Sequence, residues 1–178
     1  MGNGHGVGEA MKDEALEDAM EDPSAQCPSV AEENAVRERA LRLLASREHS
    51  RLELERKLRA KGHHLAAIAR VLDELSATDL VSNQRTAEAL AAARSAKGYG
   101  PLRLRQELRQ RGLEEELIAP LLERDRGDWL DLLVRVAEKK FGSAPASDPK
   151  DLARRARFLE YRGFPPELVR RYLRGDLE

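Results

Sequence analysis

The sequence predicts an all-α protein, built as an elongated, curved array of three tandem three-helix repeats. Leu, Ala, Arg and Glu dominate its 178 residues, whereas Val, Ile, Thr and Tyr, which favour strands, are scarce. The pattern Leu-x3-Gly-x5-Ile/Val-x3-Leu occurs three times, at intervals of 50 and 51 residues, which indicates a repeat about three helices long. The three instances are Leu58, Gly62, Ile68 and Leu72; Leu108, Gly112, Ile118 and Leu122; and Leu159, Gly163, Val169 and Leu173.

An acidic, glycine-containing segment, residues 1–34, precedes the first repeat. It holds nine Asp and Glu and a single Lys, so 30 of the 31 Lys and Arg and 23 of the 32 Asp and Glu lie in the remaining 144 residues. The segment contains the only cysteine, Cys27, and too few large apolar residues to join a core, so we expect it to be disordered. A solvated tail is the simpler interpretation of its charge, and a tail that masks the basic body is the alternative.

The first repeat is predicted to cover residues 35–80. Apolar residues at helical spacing predict a first helix over 33–47. Ser50 and Glu53 form the Ser-x-x-Glu pattern of a capping box, which starts a second helix. Gly62 fits the left-handed position that ends this helix, and a third helix is predicted over 64–75.

The second repeat is predicted to cover residues 81–126. Its helices are expected over 83–97, 101–110 and 114–124. Pro120 falls inside the last of these, where a proline removes one hydrogen bond and kinks the helix. Gly112 is expected to have a positive φ, like Gly62.

The third repeat is predicted to cover residues 127–178, with helices over 128–141, 149–161 and 166–174. Gly163 takes the place of Gly62 and is expected to have a positive φ. Helices of about ten residues enclose little by themselves, so each repeat is expected to lean its apolar face on its neighbours.

The residues that enzymes use are not grouped in any recognisable site. A glycine-rich phosphate loop with a Lys-Ser/Thr partner is absent, and His63 and His64 are adjacent, so they point in different directions on a helix. We therefore predict no catalysis, no metal, no cofactor and no small-molecule substrate. The sequence has neither an apolar run of bilayer length nor a signal peptide, which predicts a cytoplasmic protein without a membrane partner.

Basic residues recur with the repeat, and the middle helix of every repeat is cationic. If repeated positions point the same way, these charges form a stripe suited to a phosphate backbone or an acidic protein face. Arg59, Lys61, Arg109 and Arg111 are expected to be mostly exposed. A solvated face of Leu-rich helices is the competing interpretation. The candidate binding residues from the middle helices are Arg56, Lys57, Arg59, Lys61, Arg103, Arg105, Arg109, Arg111, Arg154, Arg155 and Arg162.

Three blocks of sequence resemble the RecX family over about residues 35–175. The central block, Arg-x2-Lys-Gly-x2-Pro-x2-Leu-x3-Leu-x2-Arg-Gly, begins at Arg94 and ends at Gly112. The other two blocks contain Ala40, Leu41, Leu44, Arg47, Ser50, Leu54, Leu58 and Gly62, and Leu159, Gly163, Phe164 and Val169.

The resemblance implies a role that the residues by themselves do not reveal. RecX proteins bind the RecA filament on DNA and limit its extension, its ATPase activity and its coprotease activity, and the resemblance adds Arg94 and Lys97 to the candidate binding residues. The implied partners are the RecA filament and the DNA within it. The alternative is a direct DNA-binding protein that places a basic helix in the major groove.

Overall fold

A computed structural model describes Met1, residues 28–124 and residues 128–176. Most of the predicted tail, including Cys27, lies outside the described residues. In the described part of the chain all regular structure is helical, with nine α-helices in three groups of three. The predicted all-α fold of three three-helix repeats is therefore confirmed.

The helices begin and end close to their predicted bounds. In the first repeat, α1 begins and ends three residues earlier than predicted, because the Ser29 side chain accepts a hydrogen bond from the Glu32 N–H and caps the helix. Residues 30–34, which were expected to belong to the disordered tail, are therefore helical. In the third repeat, all three helices match their predicted bounds. The helices are α1 (Val30–Leu44), α2 (Arg51–Arg59) and α3 (Leu65–Ala77); α4 (Asn83–Ala96), α5 (Pro101–Gln110) and α6 (Glu115–Arg124); and α7 (Asp128–Phe141), α8 (Pro149–Tyr161) and α9 (Pro166–Arg174).

The predicted helix ends are confirmed in detail. Ser50 and Glu53 form both hydrogen bonds of the capping box at the start of α2. Gly62, Gly112 and Gly163 have φ values of +84°, +73° and +91°, in the left-handed region where a Cβ is unfavourable. Pro120 lies inside α6, which continues on both sides of it.

The repeats differ in how they bury their apolar residues. The first repeat closes a core of its own, with Val36 from α1, Leu54 from α2 and Ile68 from α3. The second and third repeats share one core, in which Leu104 and Phe164 are buried together. The expectation that each repeat leans its apolar face on its neighbours therefore holds for the second and third repeats, whereas the first has a separate apolar core.

The middle helices α2, α5 and α8 meet end to end. At the joint between the first and second repeats, the Ser50 hydroxyl donates to the Arg111 carbonyl oxygen at 2.6 Å. At the joint between the second and third repeats, the Gly100 N–H donates to the Arg162 carbonyl oxygen at 2.9 Å. The C-terminal end of each later middle helix thus abuts the N-terminal end of the preceding one.

None of the helices in the described residues is long and apolar enough to cross a bilayer.

Candidate binding surface

The joint between the first and second repeats uses two of the predicted binding residues. Arg111 Nη1 donates to both carboxylate oxygens of Glu53, at 3.0 and 3.1 Å. Arg56 Nη1 donates to the Gln110 carbonyl oxygen at 3.2 Å. Arg111, expected to be mostly exposed, has only 23% of its side chain exposed. That expectation was wrong, because the guanidinium is needed to pair a half-buried carboxylate across the joint.

Glu53 is the centre of this joint. It completes the capping box of α2 and also pairs with Arg47 at 3.0 Å. Burial opposes its ionisation and is the largest single influence, but hydrogen bonds from Arg47 and the Ser50 N–H and the charge of Arg111 together lower its pKa. The carboxylate therefore stays ionised and pairs both with Arg47 of the first repeat and with Arg111 of the second.

His49 lies beside this joint and is buried, although nothing in the sequence singled it out. Its Nδ1 donates to the Arg47 carbonyl oxygen at 3.0 Å. Burial lowers the pKa of His49, an effect only partly offset by that hydrogen bond. The folded protein therefore holds a neutral imidazole here.

We expect the free energy of unfolding to fall as the pH is lowered from 7.5 to 5.5. The unfolded chain binds a proton at His49 near the ordinary pKa of 6.5, whereas the folded chain does not until a lower pH. This effect is at most about 1.4 kcal/mol per pH unit for one site. Glu53 extends the loss of stability to more acid pH. Because its pKa is lowered in the folded protein, the stability contributed by its charge is lost only as the pH falls below the ordinary pKa of 4.5.

Urea unfolding of the parent and of His49→Gln at both pH values measures the effect. The His49→Gln variant should show a smaller decrease between pH 7.5 and 5.5. An equal decrease in both proteins would contradict the assignment to His49.

Three predicted binding residues surround one tyrosine near the joint between the second and third repeats. The guanidinium carbons of Arg94, Arg103 and Arg162 lie 5.9, 4.6 and 5.2 Å from the centre of the Tyr99 ring. Glu107 pairs with Arg94 and Arg103. One carboxylate thus pairs with two of the three guanidinium groups, and we call these three arginines the Tyr99 cluster.

A cleft lined by cations adjoins the Tyr99 cluster. It lies between the C-terminal end of α4 and the helices α7 and α8, has a volume of about 480 Å³, and has no carboxylate among its lining residues. Phe158 and Val136 are among its apolar lining residues. We call it the basic cleft, and its cations are Lys97, Arg135, Lys139, Lys140 and Arg162.

Arg162 belongs to both features, and its Nη1 donates to the Lys97 carbonyl oxygen at 2.9 Å. The Tyr99 cluster and the basic cleft therefore form one continuous surface. Sequence reasoning missed Arg135, Lys139 and Lys140 because it counted charges only on the middle helices. The available signal was the pair of lysines in the last turn of α7.

The remaining predicted residues of α5 and α8 do not join this surface as free charges. Arg105 and Arg109 both pair with Glu115, at 3.4 and 2.7 Å. Arg154 pairs with Asp151 at 2.6 Å and is exposed.

Arg155 is a correction to the predicted stripe. Its side chain is only 8% exposed, its Nε donates to Asp151 at 2.9 Å, and its Nη1 donates to the Ala144 carbonyl oxygen at 2.8 Å. In the repeat alignment Arg155 stands where the other repeats have Leu54 and Leu104, both fully buried. The alignment with two buried leucines was the sequence signal that residue 155 is buried. Because Arg155 is buried and paired, we assign it a structural role rather than a role in binding.

Lys57 and Arg59 lie in the last turn of α2, and Lys61 follows the helix, at the opposite end from Ser50. All three are exposed, as expected for Arg59 and Lys61, and they form no ion pair within residues 28–124 and 128–176. In the same described ranges, no group of His, Cys, Asp and Glu side chains is arranged to hold a metal ion. The chemistry offered by these surfaces is the binding of anions.

Comparison with known proteins matches every repeat to one family. The descriptions of the first, second and third three-helix domains of RecX match residues 37–75, 82–122 and 127–173. The Regulatory protein RecX of Pseudomonas putida (strain GB-1) is 43% identical over 145 residues, which cover 81% of this chain and 93% of the relative. That of Halorhodospira halophila is 42% identical over 140 residues, covering 79% and 87%.

The fold is also that of a solved structure. The crystal structure of RecX from Lactobacillus salivarius superposes with a TM-score of 0.72 at 19% identity, covering 84% of this chain and 98% of that one. Because three successive domains match in the family's order and the curated relatives align over most of their length, the chain belongs to the RecX family of regulatory proteins.

Proposed function

We propose that this protein is a non-enzymatic regulator that binds the RecA filament on DNA and inhibits it, and that the Tyr99 cluster and the basic cleft contact the anionic groups of that filament. It acts in the cytoplasm and needs neither a cofactor nor a small-molecule substrate. Membership of the RecX family supports RecA as the partner. The observation that carries the site is the basic cleft, where five cations meet without a lining carboxylate.

Physical reasoning favours the basic cleft over those arginines of the predicted stripe that already have a carboxylate partner, such as Arg105 and Arg109. An arginine already paired with a carboxylate loses that partner when it binds an anion, so it contributes little net free energy. Lys97, Arg135 and Lys139 form no ion pair in the described ranges of the chain, so their full charge is available. Phosphate groups and acidic side chains are both suitable ligands.

The DNA-dependent ATPase activity of RecA, titrated with this protein, tests the proposal. The triple variant Lys97→Gln, Arg135→Gln, Lys139→Gln should raise the concentration for half inhibition by about 10-fold or more at low salt, since each lost contact removes part of a salt-dependent attraction. Inhibition by substoichiometric protein would indicate that filament extension is blocked.

A matched control removes three exposed cations elsewhere, as Arg42→Gln, Lys150→Gln, Arg157→Gln. It should inhibit RecA like the parent. Equal loss in both triple variants would show that only total charge matters, and absence of any inhibition by the parent would refute the proposed function.

Direct DNA binding is the second candidate, because the same carboxylate-free cleft suits a DNA backbone. Fluorescence anisotropy of a labelled duplex, measured without RecA at several salt concentrations, distinguishes the two. Tight, steeply salt-dependent binding together with an unchanged RecA ATPase in excess DNA would favour the second candidate.

A further inference from the structure

The C-terminal end of α2 lacks the neighbour that the other middle helices have. A Cβ on Gly112 would lie 2.2 Å from Leu52 Cδ2, and one on Gly163 would lie 2.5 Å from Arg103 Cβ, because each of these glycines packs into a joint. A Cβ added to Gly62 would have no atom of the described residues within 4 Å, apart from its neighbours in the chain. We call this surface the free end, and it consists of Lys57, Arg59, Lys61 and Gly62.

The free end is strongly basic. Residues 57–64 contain three Lys and Arg, two His and no acid. Lys57, Arg59 and Lys61 are exposed and have no ion-pair partner among the described residues. The C-terminal end of a helix carries roughly half a negative charge, which offsets only a small part of this positive charge.

The N-terminal segment enters the fold beside the free end. The Glu32 carboxylate, in the first turn of α1, accepts a hydrogen bond from the His64 N–H at 2.9 Å. Residues 9–22 carry seven Asp and Glu against Lys12 alone. The chain from Asp22 to Pro28 spans up to about 20 Å when extended, which exceeds the roughly 13 Å length of α2. The acidic stretch is thus tethered within reach of the unpaired cations.

We propose that the acidic stretch, residues 9–22, docks on the free end of the same molecule and masks it from other anions. Tethering gives the stretch a local concentration on the order of millimolar, so even an intrinsic affinity of about 1 mM fills half of the sites. An untethered anion of similar chemistry competes only when its own concentration is comparable. This inference concerns a surface separate from the basic cleft and does not depend on the proposed function.

A spin label in the acidic stretch tests the docking in the full chain. The variant Cys27→Ser, Ala19→Cys carries a nitroxide at residue 19, and loss of amide signal intensity is measured in ¹⁵N-labelled protein. We expect the strongest loss at Arg59, Lys61 and Gly62 at low salt. The signals should recover at about 0.5 M NaCl, where the Debye length falls to a few ångströms.

Two variants that each neutralise four acidic side chains identify the groups responsible for the signal loss. The loss should disappear when four acids of the stretch become amides, as Asp13→Asn, Glu14→Gln, Glu17→Gln, Asp18→Asn. It should persist when four exposed acids of the second and third repeats are changed, as Glu123→Gln, Asp131→Asn, Glu138→Gln, Glu160→Gln.

Three outcomes would overturn the proposal. The first is signal loss spread evenly over the surface. The second is loss centred on the basic cleft and abolished by Lys97→Gln, Arg135→Gln, Lys139→Gln. The third is a loss of the same size at the free end in mixtures of spin-labelled protein without ¹⁵N and ¹⁵N protein without a spin label, which would make a second copy the occupant.

Discussion

Gly163→Ala should destabilise the protein by about 3 kcal/mol or more, whereas Gly62→Ala should cost about 1 kcal/mol. Both glycines have a positive φ, +91° and +84°, so both variants incur the strain of an L residue in the left-handed region. Only at Gly163 would the added Cβ also meet backbone atoms, with the Arg103 nitrogen at 2.6 Å. The Arg103 backbone can move away from the added Cβ only if the second and third repeats separate.

Gly112→Ala should fall between these two variants. Its added Cβ would meet the Leu52 side chain, at 2.2 Å from Cδ2 and 2.8 Å from Cβ. The outer methyl can move to another rotamer, whereas the Leu52 Cβ moves only with the backbone. The clash is therefore relieved in part.

Urea unfolding of the three alanine variants measures this order, and amide hydrogen exchange locates the weakened repeat. In Gly163→Ala, protection should be lost first in α8 and α9. Equal destabilisation by all three substitutions would mean that the positive φ is the only reason for glycine at these positions. The close packing assigned to Gly112 and Gly163 at the joints would then be wrong.

The local features of this fold could be predicted from sequence because each depends on a few neighbouring residues. The capping box needs only Ser50 and Glu53, and the positive φ of Gly163 follows from the need to end one helix before the next begins. The bounds of α7, α8 and α9 follow from apolar periodicity and from prolines at two helix starts.

The environment of repeated positions could not be predicted in this way. Lys61, Arg111 and Arg162 occupy the same position in the three repeats, yet Lys61 is exposed, Arg111 pairs with Glu53, and Arg162 donates to the Lys97 carbonyl oxygen. Periodicity shows which face of a helix is buried by its own repeat, whereas the neighbouring repeat determines what happens at the helix end. Because no described repeat packs against the C-terminal end of α2, repetition in sequence did not give repetition in exposure.

The candidate surface was predictable only in part for the same reason. Arg94, Arg103 and Arg162 were expected to bind, and the structure brings them together around Tyr99. Their grouping requires contact between the second and third repeats, which no local pattern encodes. Arg135 belongs to a first helix and does not recur with the repeat, so a search for repeated charges passed over it.

Arg155→Gln should destabilise the protein by about 2–4 kcal/mol, whereas Arg154→Gln should cost less than about 1 kcal/mol. The two arginines are adjacent and both pair with Asp151. The Arg154 side chain is 66% exposed and that of Arg155 is 8% exposed. Removing the exposed guanidinium leaves water in its place.

Removing the buried guanidinium has larger consequences. The Ala144 carbonyl oxygen loses its donor, Asp151 loses its inner partner, and the ring of Phe141, 5.3 Å from the guanidinium carbon, loses a packing neighbour. Urea unfolding of both variants, with circular dichroism as the signal, gives the two free energies.

RecA inhibition by the same two variants separates stability from binding. At a temperature where both are fully folded, Arg155→Gln should inhibit RecA like the parent, because its guanidinium is enclosed and meets no partner. If Arg155→Gln were instead as stable as Arg154→Gln and lost inhibition while folded, the side chain would have to leave the core to bind, and the structural role assigned to it would be wrong.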